Sequence, residues 1–80
     1  MATVHFGSSL SRFTGGVDTL TIEAPRVVEL MASLGARYPE MAPQLEGMAV
    51  AIDGEVHNDA AYQPLGPDTE VWFVPKIAGG

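Results

Sequence analysis

The residues best suited to chemistry are the last two, Gly79 and Gly80. Glycine has no Cβ, so a backbone ending in two of them bends freely and passes close to the walls of a narrow channel. What such an end presents is its carboxylate, on Gly80. Ordering a flexible tail costs roughly 1–2 kcal/mol per residue, so backbone hydrogen bonds to a receiving protein have to offset that cost. The rate would then come from positioning the carboxylate, not from an acid or base on this chain. No other residue set competes. His5 and His57 lie far apart, no Asp/His cluster has metal-ligand spacing, and each histidine reads as a surface or sheet-edge residue. No serine stands in a nucleophile motif. The absence of cysteine removes a thiolate nucleophile, a thiolate metal site and a disulfide framework. No active site is expected within the chain itself.

The elements that must hold this end are legible from periodicity. Met1 to Phe6 alternates, with Val4 and Phe6 on one face and Thr3 and His5 on the other. Gly7-Ser8-Ser9 and Gly15-Gly16 are loop signals, with Leu10 and Phe13 between them as packing anchors. Asp18 to Glu23 alternates again, Leu20 and Ile22 facing one way, which predicts a hairpin with the first strand. Pro25 is expected at the first helical position, where its missing N–H costs nothing. Val27, Val28, Leu30, Met31 and Leu34 follow at helical spacing as a core stripe, and Pro39 stops the helix. The stretch 39–47 is a connector with room for one helical turn. Met48 to Ile52 reads as a third strand, Asp53-Gly54 as a tight turn, and Glu55 to His57 as a short returning strand. Residues 58–64 are irregular and Leu65 is a buried loop anchor. Gly66 to Thr69 turns the chain into a last strand, Glu70 to Pro75. One helix on one face of a mixed sheet is an α+β two-layer domain. It spans 1–75, and 76–80 is expected to be a flexible tail with too little bulk to pack.

Length and charge bound the partners. Eighty residues hold one small domain with a marginal core, which leaves function to a surface or a terminus. The net charge is −6, and the four basic residues, Arg12, Arg26, Arg37 and Lys76, are scattered. No phosphate-binding stripe forms, so no nucleic acid partner is expected. No apolar run approaches the ~20 residues of a membrane span, and no signal peptide is seen. The expectation is a cytoplasmic chain with no membrane partner, and one attracted to basic protein surfaces.

The order of elements, with a strand running straight into Gly-Gly, resembles the β-grasp, ubiquitin-like sulfur carriers. The small subunit of molybdopterin synthase and the thiamine-thiazole sulfur carrier have similar patterns. The residues that carry the resemblance are Leu65, Asp68, Glu70, Val71, Trp72-Phe73, Pro75 and Ala78-Gly79-Gly80. The helix ending Ala36-Arg37-Tyr38-Pro39 also fits, as does the start through Val4 and Phe6 to Gly15-Gly16. The likeness covers essentially the whole chain. It implies that a ubiquitin-activating-type adenylyltransferase uses Mg-ATP to join AMP to the Gly80 carboxylate, with no cofactor or metal bound by this chain. A persulfide or sulfide sulfur then displaces AMP, leaving a thiocarboxylate for an acceptor enzyme such as a molybdopterin synthase large subunit. The chain would be a carrier and co-substrate, not an enzyme. With 80 residues and a sizeable connector before Met48, the chain resembles the molybdopterin synthase small subunit of molybdenum cofactor biosynthesis more than the shorter thiazole carrier, and that role is the expectation. Carriers for thiamine, cysteine or other thio-metabolites share this ending and are the alternatives, as are modifiers that join Gly80 to a lysine of a target protein.

A docking surface is expected beside the tail. Alternation puts Val71 and Phe73 on one face of the last strand and Trp72 and Val74 on the other. If the first pair meets the helix, Trp72 and Val74 face outward, and a one-residue slip would reverse this. Pro75 removes a backbone donor and aims the chain outward. Lys76 is either solvated or paired with an acidic partner group, and Ile77, Ala78 and Gly79 complete the partner-binding stretch that ends at Gly80. A pure interaction module presenting Trp72 and Val74 remains a further alternative.

Overall fold

The computed structural model describes residues 1–76. The tail residues Ile77, Ala78, Gly79 and Gly80 lie outside the described residues, so the chemistry expected at Gly79 and Gly80 and the partner contacts of Ile77 and Ala78 have no structural account. Alternating runs form strands where expected: β1 at Ala2–His5, β2 at Thr19–Ile22, β3 at Met48–Ile52, β4 at Glu55–His57 and β5 at Glu70–Pro75. The helices are α1 at Ser8–Ser11, α2 at Val27–Arg37 and α3 at Ala42–Glu46. The described strands make one five-stranded sheet in the order β2-β1-β5-β3-β4. The β1–β5 pair is parallel and the other pairs are antiparallel. The chain's first and last strands therefore lie side by side at the centre.

The helices cover one face of this sheet. Val27, Leu30 and Leu34 recur every three to four residues and are fully buried against Val4, Phe6, Val71 and Phe73. Each such side chain contributes about 1.5–3 kcal/mol through burial. Leu10 of α1, Met41 just before α3 and Leu45 of α3 join the same core. Asp53 and Gly54 both take positive φ, 48° and 89°, as a two-residue hairpin between β3 and β4 requires.

Three expectations are corrected. Ser8 to Ser11 is a short helix and not a loop: the N–H groups of Leu10 and Ser11 both donate to Gly7 O at 3.0 Å, and the turn drives Leu10 into the core. Pro25 is not the first helical residue. Arg26 is extended, with φ −143° and ψ 167°, and bridges to Pro64, so α2 starts at Val27. Among the described residues no side chain caps α2; instead Val27 N–H donates to Gln63 O and Val28 N–H to Ala61 O, and the irregular 58–64 stretch satisfies the first helical amides. Val28 is exposed because it lies a full 100° around the helix from Val27, off the buried stripe.

Candidate functional site

The outward face of the sheet is set by the register of β5. Val71 and Phe73 are 0% and 5% exposed and meet the helices, whereas Trp72 is 46% exposed on the opposite face. Trp72 lies opposite His5 of β1 and Ala51 of β3, and Ala51 lies opposite Val56 of β4. A row therefore crosses four strands: His5, Trp72, Ala51, Val56. One step towards the end of β5, Val74 stands half-buried opposite Ala49. The two alanines are short, so Trp72, Val56 and Val74 rise above them as an apolar patch.

Trp72 is held in place. The His5 imidazole stacks on its indole with ring centroids 4.2 Å apart and planes 8° from parallel. His5 Nε2 in turn contacts Glu70 Oε1. Glu70 is tied down through its backbone: its N–H donates to Asp53 Oδ1, and Asp53 N–H donates to Glu70 O, both at 2.9 Å. The result is a stacked aromatic pair braced by a carboxylate, with its free face towards solvent. A side chain already fixed loses less rotamer freedom on binding. Acidic Glu70, Asp53 and Glu55 rim one side of the patch, and exposed Pro75 and Lys76 lie on the other, where the chain leaves the sheet.

Of the two places expected for the histidines, surface or sheet edge, His5 takes the first: β1 is an interior strand and His5 stands partly exposed on its outward face. His57, on the outermost strand β4, takes the second and contacts Glu55 Oε1 at 3.0 Å. Alternation alone places His5 outward. Only the parallel pairing of β1 with β5 brings it onto Trp72, so its part in the site has no local signal. Val56, Ala51 and Glu70 likewise join the site through pairing. Among the described residues, no group of three His, Cys, Asp or Glu side chains is placed to hold a metal ion, and no helix is long and apolar enough to cross a membrane.

Two clefts flank the exit of β5. One of about 330 Å³ lies between α1 and α3, lined by Leu10, Arg12, Pro43, Met48 and Pro75. The other, about 300 Å³, includes Met31, Leu45, Met48, Tyr62 and Lys76.

Comparison with known proteins places this geometry. The model of the ThiS family matches residues 4–80. The chain has the fold of the Amycolatopsis orientalis protein in the crystal structure of the BexX/CysO complex, with TM-score 0.84 and 18% identity over 100% of each chain. It also has the fold of the small archaeal modifier protein 1 (SAMP1) of Methanosarcina acetivorans in solution. There the TM-score is 0.81 and the identity 18%, over 99% of this chain and 95% of that one. Mycobacterium tuberculosis CysO, an antigen, is similar at TM-score 0.83 and 15% identity, over 96% of this chain and 100% of the other. At these identities the structures establish the fold, a β-grasp. No curated protein matches the chain significantly.

Proposed function

We propose that this chain, which belongs to the ThiS family of β-grasp, ubiquitin-like sulfur carriers, carries sulfur as a thiocarboxylate on Gly80. The observation that supports the reading is the family match over residues 4–80, which takes in the terminal Gly79-Gly80 pair. A carboxylate oxygen of Gly80 attacks the α-phosphorus of Mg-ATP held by an adenylyltransferase of the ubiquitin-activating type, and pyrophosphate leaves. The acyl-adenylate is a mixed anhydride, and attack by sulfide at its carbonyl expels AMP and yields the thiocarboxylate. With a persulfide donor the first product is an acyl disulfide, which a further thiol reduces to the same thiocarboxylate. The chain supplies the reacting atom and the partner supplies the catalysis. The need for ATP suits a cytoplasmic chain.

In this reading Trp72, Val74, Pro75 and Lys76 dock the activating and acceptor enzymes while 77–80 reaches into their sites. Trp72 is the anchor, because a half-exposed, pre-braced aromatic is the residue type that dominates interfaces. A role as molybdopterin synthase small subunit stands level with a carrier for thiamine or cysteine synthesis. Incubating the thiocarboxylate form with a molybdopterin synthase large subunit, a thiazole synthase or a cysteine-forming enzyme separates them by which one consumes it.

The direct test is intact-mass measurement after incubation with a candidate activating enzyme, ATP and a sulfur donor. Exchange of one oxygen for sulfur at Gly80 is the expected result. An unchanged mass with an enzyme that activates a control carrier would reject the reading. The likeness in fold to a small archaeal modifier protein supports a second reading, in which Gly80 is joined to lysines of target proteins. Isopeptide-linked Gly-Gly remnants in cell extracts would favour that one.

A further inference from the structure

Among the described residues, β2 pairs with β1 alone and forms one edge of the sheet. The ladder fixes where its outer backbone groups point. Phe6 N–H donates to Asp18 O at 2.8 Å, one step beyond the His5–Thr19 pair. Hydrogen-bonded and non-bonded pairs alternate along an antiparallel ladder. Asp18, Leu20 and Ile22 therefore turn their N–H and C=O groups towards β1, and Thr19, Thr21 and Glu23 turn theirs away from the sheet. Thr3, opposite Thr21, agrees: its N–H is directed to the other side, onto Thr69 O at 2.9 Å.

Open edges are commonly protected by brevity, proline or lysine. The far edge, β4, has only three residues. Thr19–Ile22 has neither proline nor lysine, and Glu23 follows it. Beside it lies a cleft of about 560 Å³, within the size range of about 300–1,000 Å³ typical of ligand sites. Thr21, Ile22 and Glu23 form one wall, and Ser33, Ala36 and Arg37 of α2 form the other. Those three helical residues share one face at i, i+3 and i+4. Ser33 and Ala36 are small, which keeps the helix wall back from the strand edge. Arg37 takes part in no ion pair among the described residues.

The geometry points to a peptide-docking site. An extended segment of a partner protein adds to β2 as a sixth strand, using the outward N–H and C=O groups of Thr19, Thr21 and Glu23. It places an aliphatic side chain between Ile22 and Ala36 and a carboxylate against Arg37. The Arg37 guanidinium selects a single carboxylate at that end of the segment, because Glu23 in the opposite wall and the net charge of −6 repel further acid. β1 separates this edge from β5, so a partner here leaves the Trp72 row accessible. The site does not depend on sulfur carriage, and either can fail without the other.

The test titrates the isotope-labelled full chain with a blocked hexapeptide of alternating Val and Thr containing one Asp, followed by amide NMR. Shifts confined to Thr19–Glu23 and Ser33–Arg37 are expected at up to millimolar peptide. Thr21→Pro deletes an outward N–H without removing a bond to β1, and should weaken binding about tenfold, as loss of a backbone hydrogen bond plus a strand-edge clash requires. Arg37→Glu should weaken the Asp peptide but not its Asn counterpart, a comparison that holds even if the proline variant fails to fold. Absence of shifts, shifts centred on Trp72, or equal binding of Asp and Asn peptides to the parent chain would overturn the proposal. So would edge shifts that grow with protein concentration alone, which would make a second copy of the chain the occupant.

Discussion

Trp72→Ala separates a docking role from a structural one, because the structure bounds both effects. Trp72 is 46% exposed, so of the 150–250 Å² that a tryptophan can bury, roughly 100 Å² is covered here. At ~25 cal/mol per Å² that area corresponds to about 2.5 kcal/mol as an upper bound. An 80-residue domain has a stability of roughly 4–12 kcal/mol, so the variant stays folded. If Trp72 is the anchor, binding to the activating enzyme should weaken by ~1–3 kcal/mol, or roughly 5- to 150-fold in Kd. Urea unfolding measures the first quantity and calorimetric titration with the enzyme, well below the melting transition, measures the second. A folded variant that binds with the parent's Kd would refute the docking argument and leave Trp72 a half-covered sheet residue only.

Three other outcomes are expected. His5→Ala removes the stacking partner and should cost ~0.5–1.5 kcal/mol of enzyme binding; a double-mutant cycle with Trp72→Ala should show non-additivity, and strictly additive losses would mean that the stack does not position the indole. Gly79→Val should leave the urea midpoint unchanged and abolish ATP–pyrophosphate exchange, since a branched side chain blocks close passage of the backbone; exchange at the parent rate would contradict the threading argument. Leu30→Ala, at a fully buried position under the sheet, should destabilise by about 2–5 kcal/mol, checked by chemical unfolding.

Much of this protein is determined locally. Alternation in Thr3 to Phe6 and in Val71 to Val74 depends only on the two-residue repeat of a strand. For that reason the sequence by itself puts Val4 with Phe6, Val71 with Phe73, and Trp72 on the face opposite the latter pair, while packing on the helices decides which face is buried. The Val27–Leu30–Leu34 stripe and the Asp53-Gly54 turn are equally local, set by helical spacing and by residues that tolerate positive φ. The start of α2 is not local: the carbonyls of Ala61 and Gln63, more than thirty residues away, bind its first amides, and they hold Arg26 extended where Pro25 alone would have opened the helix. The candidate site shows the same division. That Trp72 points away from Val71 and Phe73 is written in β5. That it stacks on His5, rests beside Ala51 and shares a row with Val56 was decided by the insertion of β5 between β1 and β3, parallel to the first and antiparallel to the second. On the β1 side that insertion joins residues 65 or more positions apart. Such pairings form only when the hydrophobic faces of both strands close on the same helix layer, a condition no short window of sequence contains. Tertiary pairing also left β2 with an open edge beside α2, a surface that its alternating threonines alone do not announce.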